Sequence, residues 1–447
     1  MATVDERVVA VTARVMRIEP SEIKPNDNFT TDLGAAAFFS ATLFLLWNFA
    51  SHPSWKLAFM FGVVLGLAQI AKYTCLLLYP LSIVLWFAIR LGNRNVSSVS
   101  KRVVAVQWTA ALLVSLGTLN SGYFFGGSFS SLESYRFGSK DLSQISSVLH
   151  GINAVPVPFP RDYLEGLDRQ RHILEQEHPV FLDQEWNTEG FGHYYLMALL
   201  YKLPHALQLL IVSSAVLFLF SGREERHTRN QIVLLLPAIS LIAIASFSGM
   251  QLGLRYILPV FPFLFLFAGR ATRWLQWKHS PFRSLALSAV IAGMLLPLGN
   301  HPHHLAYFNE YAGGPVEGRF HLLDSNLDWG QDLGRLKEFV EANQIDDLHL
   351  AYFGTMPPKE YGIRYRLPAF HHPEPGWHAV SVNFVQGRPH FVRDETGQFR
   401  LVGLDEFGYF RFFDEKKQSI GYSIDVYHLS EFDIRQWEAA MKRKFRH

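Results

Sequence analysis

The sequence predicts a polytopic α-helical membrane protein with about eight spans and a C-terminal α/β domain outside the cytoplasm. The 447 residues are 49% hydrophobic and 18% charged, which is too apolar for a soluble protein of this size and too polar for spans alone. Apolar segments of spanning length fill residues 34–300, and alternating strand-like and helix-like pieces occupy the polar residues 301–447. The formal net charge of +2 argues against nucleic acid as a partner.

Eight segments of roughly 16 or more apolar residues reach the lower limit for a spanning helix. They are 34–50, 56–71, 73–90, 103–120, 203–220, 232–249, 254–269 and 284–300. The second and third are separated only by Lys72. The number of spans is therefore open by one or two.

The basic residues predict an orientation, because short cytoplasmic loops collect Lys and Arg. The clusters are Arg90, Arg94, Lys101 and Arg102 after the third segment, Arg223, Arg226 and Arg229 after the fifth, and Arg270, Arg273, Lys278 and Arg283 after the seventh. All three fall on one side if every segment crosses, and this side is predicted to be cytoplasmic. The loop 121–202 and the C-terminal region 301–447 are then external.

The C-terminal region has the pattern of a β-α-β unit, for which a parallel strand pair with a right-handed crossover is expected. The predicted elements are a strand at 320–324, a helix at 331–343, strands at 349–354, 378–385 and 420–429, and a last helix at 431–443.

The N-terminal segment 1–33 does not match its surroundings. Together with the phrase DLGA at 32–35, it resembles the opening of an acyl carrier protein, in which a phosphopantetheine-bearing serine follows. Ala36 stands near that place, so neither phosphopantetheine nor carrier activity is expected. We interpret the segment as a graft; the alternative is an amphipathic helix at the membrane surface.

Several phrases between Thr31 and the C-terminus share a further resemblance. They are TTDLGAAAFF at 30–39, GLAQIAKYTCLLLYPL at 66–81, YLEGLD at 163–168, EGFGHYYLMALLYKLP at 189–204, GLRYILPVFPFLFLFAG at 253–269, LAYFNEYAGGP at 305–315 and DSNLDWGQDL at 324–333. In order and spacing they resemble bacterial phospholipid-carrier-dependent glycosyltransferases of the protein O-mannosyltransferase type, which have the GT-C fold.

The resemblance implies a multi-pass protein of the bacterial inner membrane that transfers a sugar from polyprenyl phosphate to an acceptor hydroxyl on a protein, lipid or glycan. Such chemistry needs a carboxylate for the acceptor proton and cations for the departing phosphate. It implies no cofactor. The catalytic aspartate of the family is expected upstream of Thr31, where the acyl-carrier-like segment stands, so weak or absent activity is expected.

Three cations are candidates for the donor phosphate: Lys72, Arg255 and Lys202. Lys72 and Arg255 stand at the external ends of predicted spans, where a lysine that merely extends to the headgroups is the alternative. Arg255 can bind phosphate with two hydrogen bonds. The weak catalytic candidates are Glu185 and Glu189, the acids of the external loop nearest to the following span.

In the phrase DSNLDWGQDL, Asp324 and Asn326 would stand at the carboxyl end of a strand, where open α/β sheets bind ligands. Asp328 and Gln331 have the spacing of a helix capping box, so capping and domain docking are the alternatives to substrate contact. The spacing of His301, His303 and His304 matches no zinc pattern, and no metal is expected.

Two functions from other classes stay open. The first is a transporter or lipid-binding membrane protein with an external solute-binding domain, for which paired inverted halves are expected and not seen. The second is an acyl-transfer fusion protein, which a phosphopantetheine adduct would reveal.

Overall fold

The computed structural model describes residues 31–91, 99–148, 156–220, 228–276 and 281–444, and each of the eight predicted apolar segments is helical. The acyl-carrier-like segment 1–33 lies outside the described residues, apart from its last three. Arg94, Arg223, Arg226 and Lys278, on which the predicted orientation partly depends, also lie outside them.

The apolar part begins with four helical segments. They are α1 Thr31–Ser51, α2 Trp55–Ala71, α3 Leu78–Leu91 with the preceding 3-10 turn Tyr73–Leu77, and α4 Lys101–Gly122. The segment that follows holds the 3-10 turn Leu132–Ser134, α5 Lys140–Val148, α6 Arg161–Leu174 and the hairpin of β1 Val180–Leu182 and β2 Glu185–Asn187. Four further segments complete this part. They are α7 Tyr194–Lys202 with α8 His205–Phe220, α9 Thr228–Ser246, α10 Phe261–Ala268 between the 3-10 helices Leu254–Val260 and Gly269–Gln276, and α11 Pro281–Leu295 with the 3-10 turn Leu296–Asn300.

Several of these helices are long and apolar enough to cross a membrane. Within the part of the chain that the structure describes, five helices meet both conditions: Thr31–Ser51, Tyr73–Arg90, Lys101–Gly122, Leu254–Arg273 and Arg283–Asn300. The pair α7 and α8 passes as one unit but is bent by 119°. Helix α2, with 17 residues, and Gln231–Ser246 are apolar but shorter. Length and composition thus support five or six spans among the described residues, and the predicted number of eight includes the two shorter apolar helices.

Two glycines allow α2 and α4 to pack closely. A Cβ atom on Gly62 would lie 2.4 Å from the Ala111 carbonyl oxygen, and one on Gly66 would lie 2.6 Å from the Ser115 carbonyl oxygen. Their spacing is that of the small-residue motif that brings membrane helices together. These glycines therefore set the distance between the two helices.

The C-terminal region contains a four-stranded sheet in the order β3-β4-β8-β7. Its elements are β3 Leu348–Ala351, β4 Gly376–Ser381, β7 Gln418–Ile420 and β8 Ile424–Leu429, with a separate hairpin of β5 His390–Arg393 and β6 Phe399–Val402. Strands β3 and β4 are parallel, and the other two pairings in the sheet are antiparallel. The helices are α12 Gly314–Glu317, α13 Leu333–Ala342, α14 Val382–Val385 and α15 Glu431–Lys444, together with the 3-10 turns Glu310–Ala312, Gly318–Phe320, Asp324–Asn326, Pro358–Tyr361 and Gly408–Lys416.

The strand predicted at 320–324 is wrong. Residues 318–320 and 324–326 form 3-10 turns, and Leu322 and Leu323 are buried in the same core as the apolar helices. A short apolar run has the same appearance in a strand as in a packed loop, so its pattern did not distinguish them. The parallel pair exists, but it joins β3 to β4, and the strand predicted at 378–385 ends at Ser381.

The region before α13 is fastened to the ends of the apolar helices by polar contacts. The Asn326 amide donates to the Tyr194 hydroxyl over 3.1 Å, and its oxygen accepts from the Leu254 N–H over 3.2 Å. The Asn309 amide donates to the carbonyl oxygens of Leu200 and Leu203 at the end of α7, over 2.6 and 2.8 Å. These contacts hold the C-terminal domain against one end of the helical part.

Gly253 makes this docking possible. Its backbone has φ 112° and ψ 177°, a region restricted to glycine, and a Cβ atom there would lie 2.8 Å from Ser325 Oγ.

We expect Gly253→Ala to cost about 1–3 kcal/mol of stability and to lower the melting temperature in detergent by several degrees. The matched control is Gly249→Ala, because no atom lies within 4 Å of the Cβ position at Gly249. Equal melting temperatures for the two variants would contradict this account of the docking.

Candidate functional site

Lys72 and Arg255 converge on one aromatic ring at the end of the helical part that carries the C-terminal domain. Lys72 follows the last residue of α2, and Arg255 lies in the 3-10 turn that precedes α10. Lys72 Nζ is 4.8 Å from the centre of the Tyr256 ring, and Arg255 Cζ is 5.3 Å from it. The fold thus brings together two of the three cations that the sequence suggested for a phosphate.

Asp32 completes this group, and the sequence reasoning did not select it. Its carboxylate, in the first turn of α1, lies 2.5 Å from Lys72 Nζ, and both side chains are mostly buried. Asp32 belongs to the phrase DLGA, which the sequence offered only as part of a resemblance to known families and not as a site. Its place opposite Lys72 follows from the antiparallel packing of α1 and α2, which no local pattern reveals.

Arg255 has a different environment from Lys72. Its guanidinium carbon is 4.1 Å from the centre of the Trp329 ring, so the arginine lies between the helical part and the C-terminal domain. Among the described residues no carboxylate lies within 4.0 Å of it, and its buried Nε lacks a hydrogen-bond partner. A half-buried guanidinium with an unused donor is suited to bind an anion.

Lys202 makes structural contacts. Its ammonium group donates to the carbonyl oxygens of Leu305 and Asn326 over 2.7 and 2.6 Å and lies 4.2 Å from the centre of the Phe308 ring. Two of its three donors are therefore used to fasten the C-terminal domain to the end of α7. It does not join Lys72 and Arg255 at the Tyr256 ring.

Asp324 and Asn326 belong to the same docking region. Asp324 has a left-handed backbone with φ 59°, which Asp tolerates better than most residues, and its carboxylate is 2.8 Å from Arg388 Nη2. The Asn326 amide nitrogen donates to the Tyr194 hydroxyl and to the Leu323 carbonyl oxygen, and its oxygen accepts from the Leu254 N–H. Both candidates are buried; the ion pair of Asp324 lies within the C-terminal domain, whereas Asn326 makes contacts of domain docking.

Asp328 does not cap a helix, so that prediction is wrong. Helix α13 begins at Leu333, and Asp332 stands at its N-cap position without a side-chain cap bond. Instead, Asp328 accepts from the Ser381 hydroxyl over 2.5 Å and from the Gly330 N–H over 2.8 Å. The chain turns at Gly330, where φ is 83°, before the helix starts, and this turn separates Asp328 from the helix end.

The surroundings of Asp328 favour its neutral form. Complete burial raises the pKa of its carboxyl group to about 7, and the nearby charges of Asp332 and Asp324 add to this effect, while the bonds from Ser381 and Gly330 act against it. A carboxyl group with such a pKa changes charge near neutral pH. It does so inside the C-terminal domain.

Glu185 and Glu189 are both exposed and do not reach the cation pair by any described contact. Glu185 begins the second strand of the β1–β2 hairpin. Glu189 precedes Gly190, which packs against Gln251 in the turn that leads to Arg255.

An apolar groove runs between α8, α10 and α11 and has a cavity volume of about 640 Å³. We call it the lateral groove. It is lined by Lys202, Leu203, Pro204, Leu207, Leu210, Phe261, Phe265, Ala289, Val290, Gly293, Met294, Pro297, His304 and Tyr307. Its polar residues lie at one end, and its apolar length is suited to a hydrocarbon chain.

The three histidines of residues 301–304 do not form a metal site in the described part of the chain, where no group of three or more suitable ligands occurs. His301 Nδ1 and His304 Nε2 are 3.2 Å apart, and His303 Nδ1 is 3.7 Å from Asp332 Oδ1. These contacts lie beside the polar end of the lateral groove.

Comparison with known proteins gives no relative. No protein-family model matches the chain, and no curated protein or solved structure matches it either.

The raised pKa of Asp328 predicts a pH-dependent stability. Its folded-state pKa of about 7 is above the ordinary value for Asp of about 4, so the folded chain binds the extra proton between these values. The contribution of Asp328 to the free energy of unfolding is then largest below the unfolded-state pKa, and it is lost as the pH rises through the folded-state pKa. We expect the melting temperature to drop between about pH 4 and about pH 7, and to drop less in Asp328→Asn.

The control for this measurement is Asp346→Asn, which changes an exposed acid of the same domain. It should keep the wild-type pH dependence. An unchanged pH dependence in Asp328→Asn would show that Asp328 is not the titrating group.

Proposed function

We propose that this chain is a membrane glycosyltransferase that takes a sugar from a polyprenyl-phosphate donor and passes it to an acceptor hydroxyl. The observation that carries the proposal is the convergence of Lys72 and Arg255 on the Tyr256 ring, at 4.8 and 5.3 Å. Two cations from distant parts of the chain at the end of apolar helices are suited to a lipid-linked phosphate. The resemblance to the protein O-mannosyltransferase type of GT-C enzyme is consistent with this chemistry.

The phosphate of the donor would bind between the two cations. Arg255 has an unused donor at Nε, whereas Lys72 is paired with Asp32, so phosphate would displace Asp32 from the lysine. Transfer of a negatively charged phosphate out of water is unfavourable unless nearby cations take the place of the water. The cations would therefore stabilise the leaving group most strongly when its charge is largest.

The lateral groove would hold the polyprenyl chain. Helix α10, which lines it with Phe261 and Phe265, directly follows the 3-10 turn that contains Arg255. A hydrocarbon chain lying in the groove would be buried between helices rather than exposed to lipid on all sides. Burial in this groove would orient the phosphate toward the cations.

Asp32 is the carboxylate best placed to receive the acceptor proton. In the proposed step the acceptor oxygen forms a bond to the anomeric carbon, and the bond from that carbon to the phosphate oxygen breaks. The hydroxyl proton passes to Asp32, and the bonding electrons leave with polyprenyl phosphate beside Lys72 and Arg255. Displacement from Lys72 would leave Asp32 free for this role.

The proposal includes eight membrane crossings, with the C-terminal domain outside the cytoplasm. Arg90 donates to the Ala50 carbonyl oxygen at the far end of α1 from Asp32. Lys101 and Arg102 begin α4, whose other end lies against Ile70 near Lys72. These basic residues are thus at the end opposite the C-terminal domain, which is the distribution expected of a cytoplasmic face.

The phosphate-binding role predicts a loss of donor affinity when either cation is removed. We expect Lys72→Gln and Arg255→Gln each to raise the Kd for a fluorescent polyprenyl phosphate about tenfold or more, because each removes a charge-assisted hydrogen bond. The control is Arg283→Gln, which removes an exposed cation at the far end of α11. Equal Kd values in all three variants would refute the phosphate site.

Asp32→Asn separates binding from transfer. The substitution removes the negative charge that competes with phosphate for Lys72, so donor binding should become tighter. Transfer of a labelled sugar from polyprenyl phosphate should fall at least about a hundredfold, because the proton acceptor is lost. Wild-type transfer with Asp32→Asn would contradict the catalytic role, and a wild-type protein that neither binds polyprenyl phosphate nor transfers sugar from it would contradict the enzyme class.

A further inference from the structure

The C-terminal domain has an open cleft beside the proposed donor site, with a volume of about 370 Å³. We call it the aromatic cleft. It is lined by Trp329, Phe353, Gly354, Thr355, His390, Phe391 and Phe399. Its volume lies near the lower limit of pockets for small ligands, so one or two sugar rings fit better than a larger molecule.

The hairpin of β5 and β6 exposes its aromatic residues to the cleft instead of burying them. Phe391 and Phe399 are 55% and 57% exposed, whereas Val392 and Val402 on the opposite face are 1% exposed. Each strand thus has one face in the domain core and one face outside it. The exposed rings of Phe391 and Phe399 are not part of the domain core, which indicates that they bind something at the surface.

The rings of the cleft are held in place. The centre of the Phe353 ring is 4.5 Å from that of His390 and 6.4 Å from that of Trp329. Arg393 lies over the Phe399 ring, with its Cζ 4.1 Å from the ring centre. Fixed rings present flat apolar surfaces with little loss of conformational freedom on binding.

The lining of the cleft is uncharged at neutral pH. None of its seven residues is Asp, Glu, Lys or Arg, so its walls carry no fixed charge. Gly354, Thr355 and His390 add polar groups to the aromatic walls. A ligand for this surface is neutral, has flat apolar faces, and has hydroxyl groups at its edges.

We propose that the aromatic cleft binds the pyranose ring of a neutral glycan, which is the acceptor of the transfer reaction. The C–H faces of such a ring fit aromatic walls, and its hydroxyl groups fit the polar edge. The role of the glycan as acceptor rests on the proposed function, but binding of the glycan to the cleft does not.

Trp329 links the aromatic cleft to the donor site. The same indole that lines the cleft lies 4.1 Å from the Arg255 guanidinium carbon. A glycan in the cleft would therefore stand next to the cation proposed to hold the donor phosphate. Trp329 positions both ligands with respect to each other.

The test is binding of the full-length protein in detergent to an array of immobilised neutral oligosaccharides and their carboxylated counterparts. Wild-type protein should bind a subset of the neutral glycans, and Phe399→Ala should bind them at least about tenfold more weakly. The matched control is Leu401→Ala. Leu401 is 63% exposed on the same hairpin face but does not line the cleft, so its loss should leave glycan binding unchanged.

Three outcomes would overturn the inference: no neutral glycan binds, only carboxylated glycans bind, or Phe399→Ala binds as the wild type does. Binding of polyprenyl phosphate to Phe399→Ala separates this inference from the proposed function. Normal phosphate binding with lost glycan binding supports the cleft as a separate subsite. If the donor site fails its own test while Phe399 remains essential for glycan binding, the cleft stands as a glycan site and the transfer reaction does not.

Discussion

The docking of residues 305–326 onto the ends of the apolar helices is the constraint on which the rest of the structure depends. Asn326 binds Tyr194 and Leu254, and the Lys202 ammonium group binds the carbonyl oxygens of Leu305 and Asn326. These buried polar groups satisfy each other, so separating the two parts would leave them without partners. The same docking brings Trp329 onto Arg255 and thereby joins the C-terminal domain to the cation pair.

Much of the fold was predictable from local patterns. Long apolar runs correspond to helices in all eight predicted segments, and the last helix, predicted at 431–443, is observed as Glu431–Lys444. The strand predicted at 320–324 was wrong because Leu322 and Leu323 pack into the core of the helical part. Their burial depends on docking, which is a tertiary effect that a five-residue pattern does not contain.

The candidate site was predictable only in part. The position of Lys72 and Arg255 at helix ends suggested an anion site, but their approach to the same ring comes from the packing of helices far apart in the sequence. Asp32 gave no signal of its own, because an acid in the first turn of a helix is common for local reasons. The aromatic cleft combines Trp329 with residues of β5 and β6, two strands that the sequence pattern did not predict.

The central claim is that Lys72 and Arg255 bind one phosphate group together. A double-mutant cycle with Lys72→Gln, Arg255→Gln and the double variant, measured as the binding free energy of polyprenyl phosphate, tests it most directly. If both cations contact the same phosphate, the effect of the double variant should differ from the sum of the single effects by more than about 0.5 kcal/mol. Additivity within about 0.3 kcal/mol would show that the two cations act independently, and would contradict the shared site.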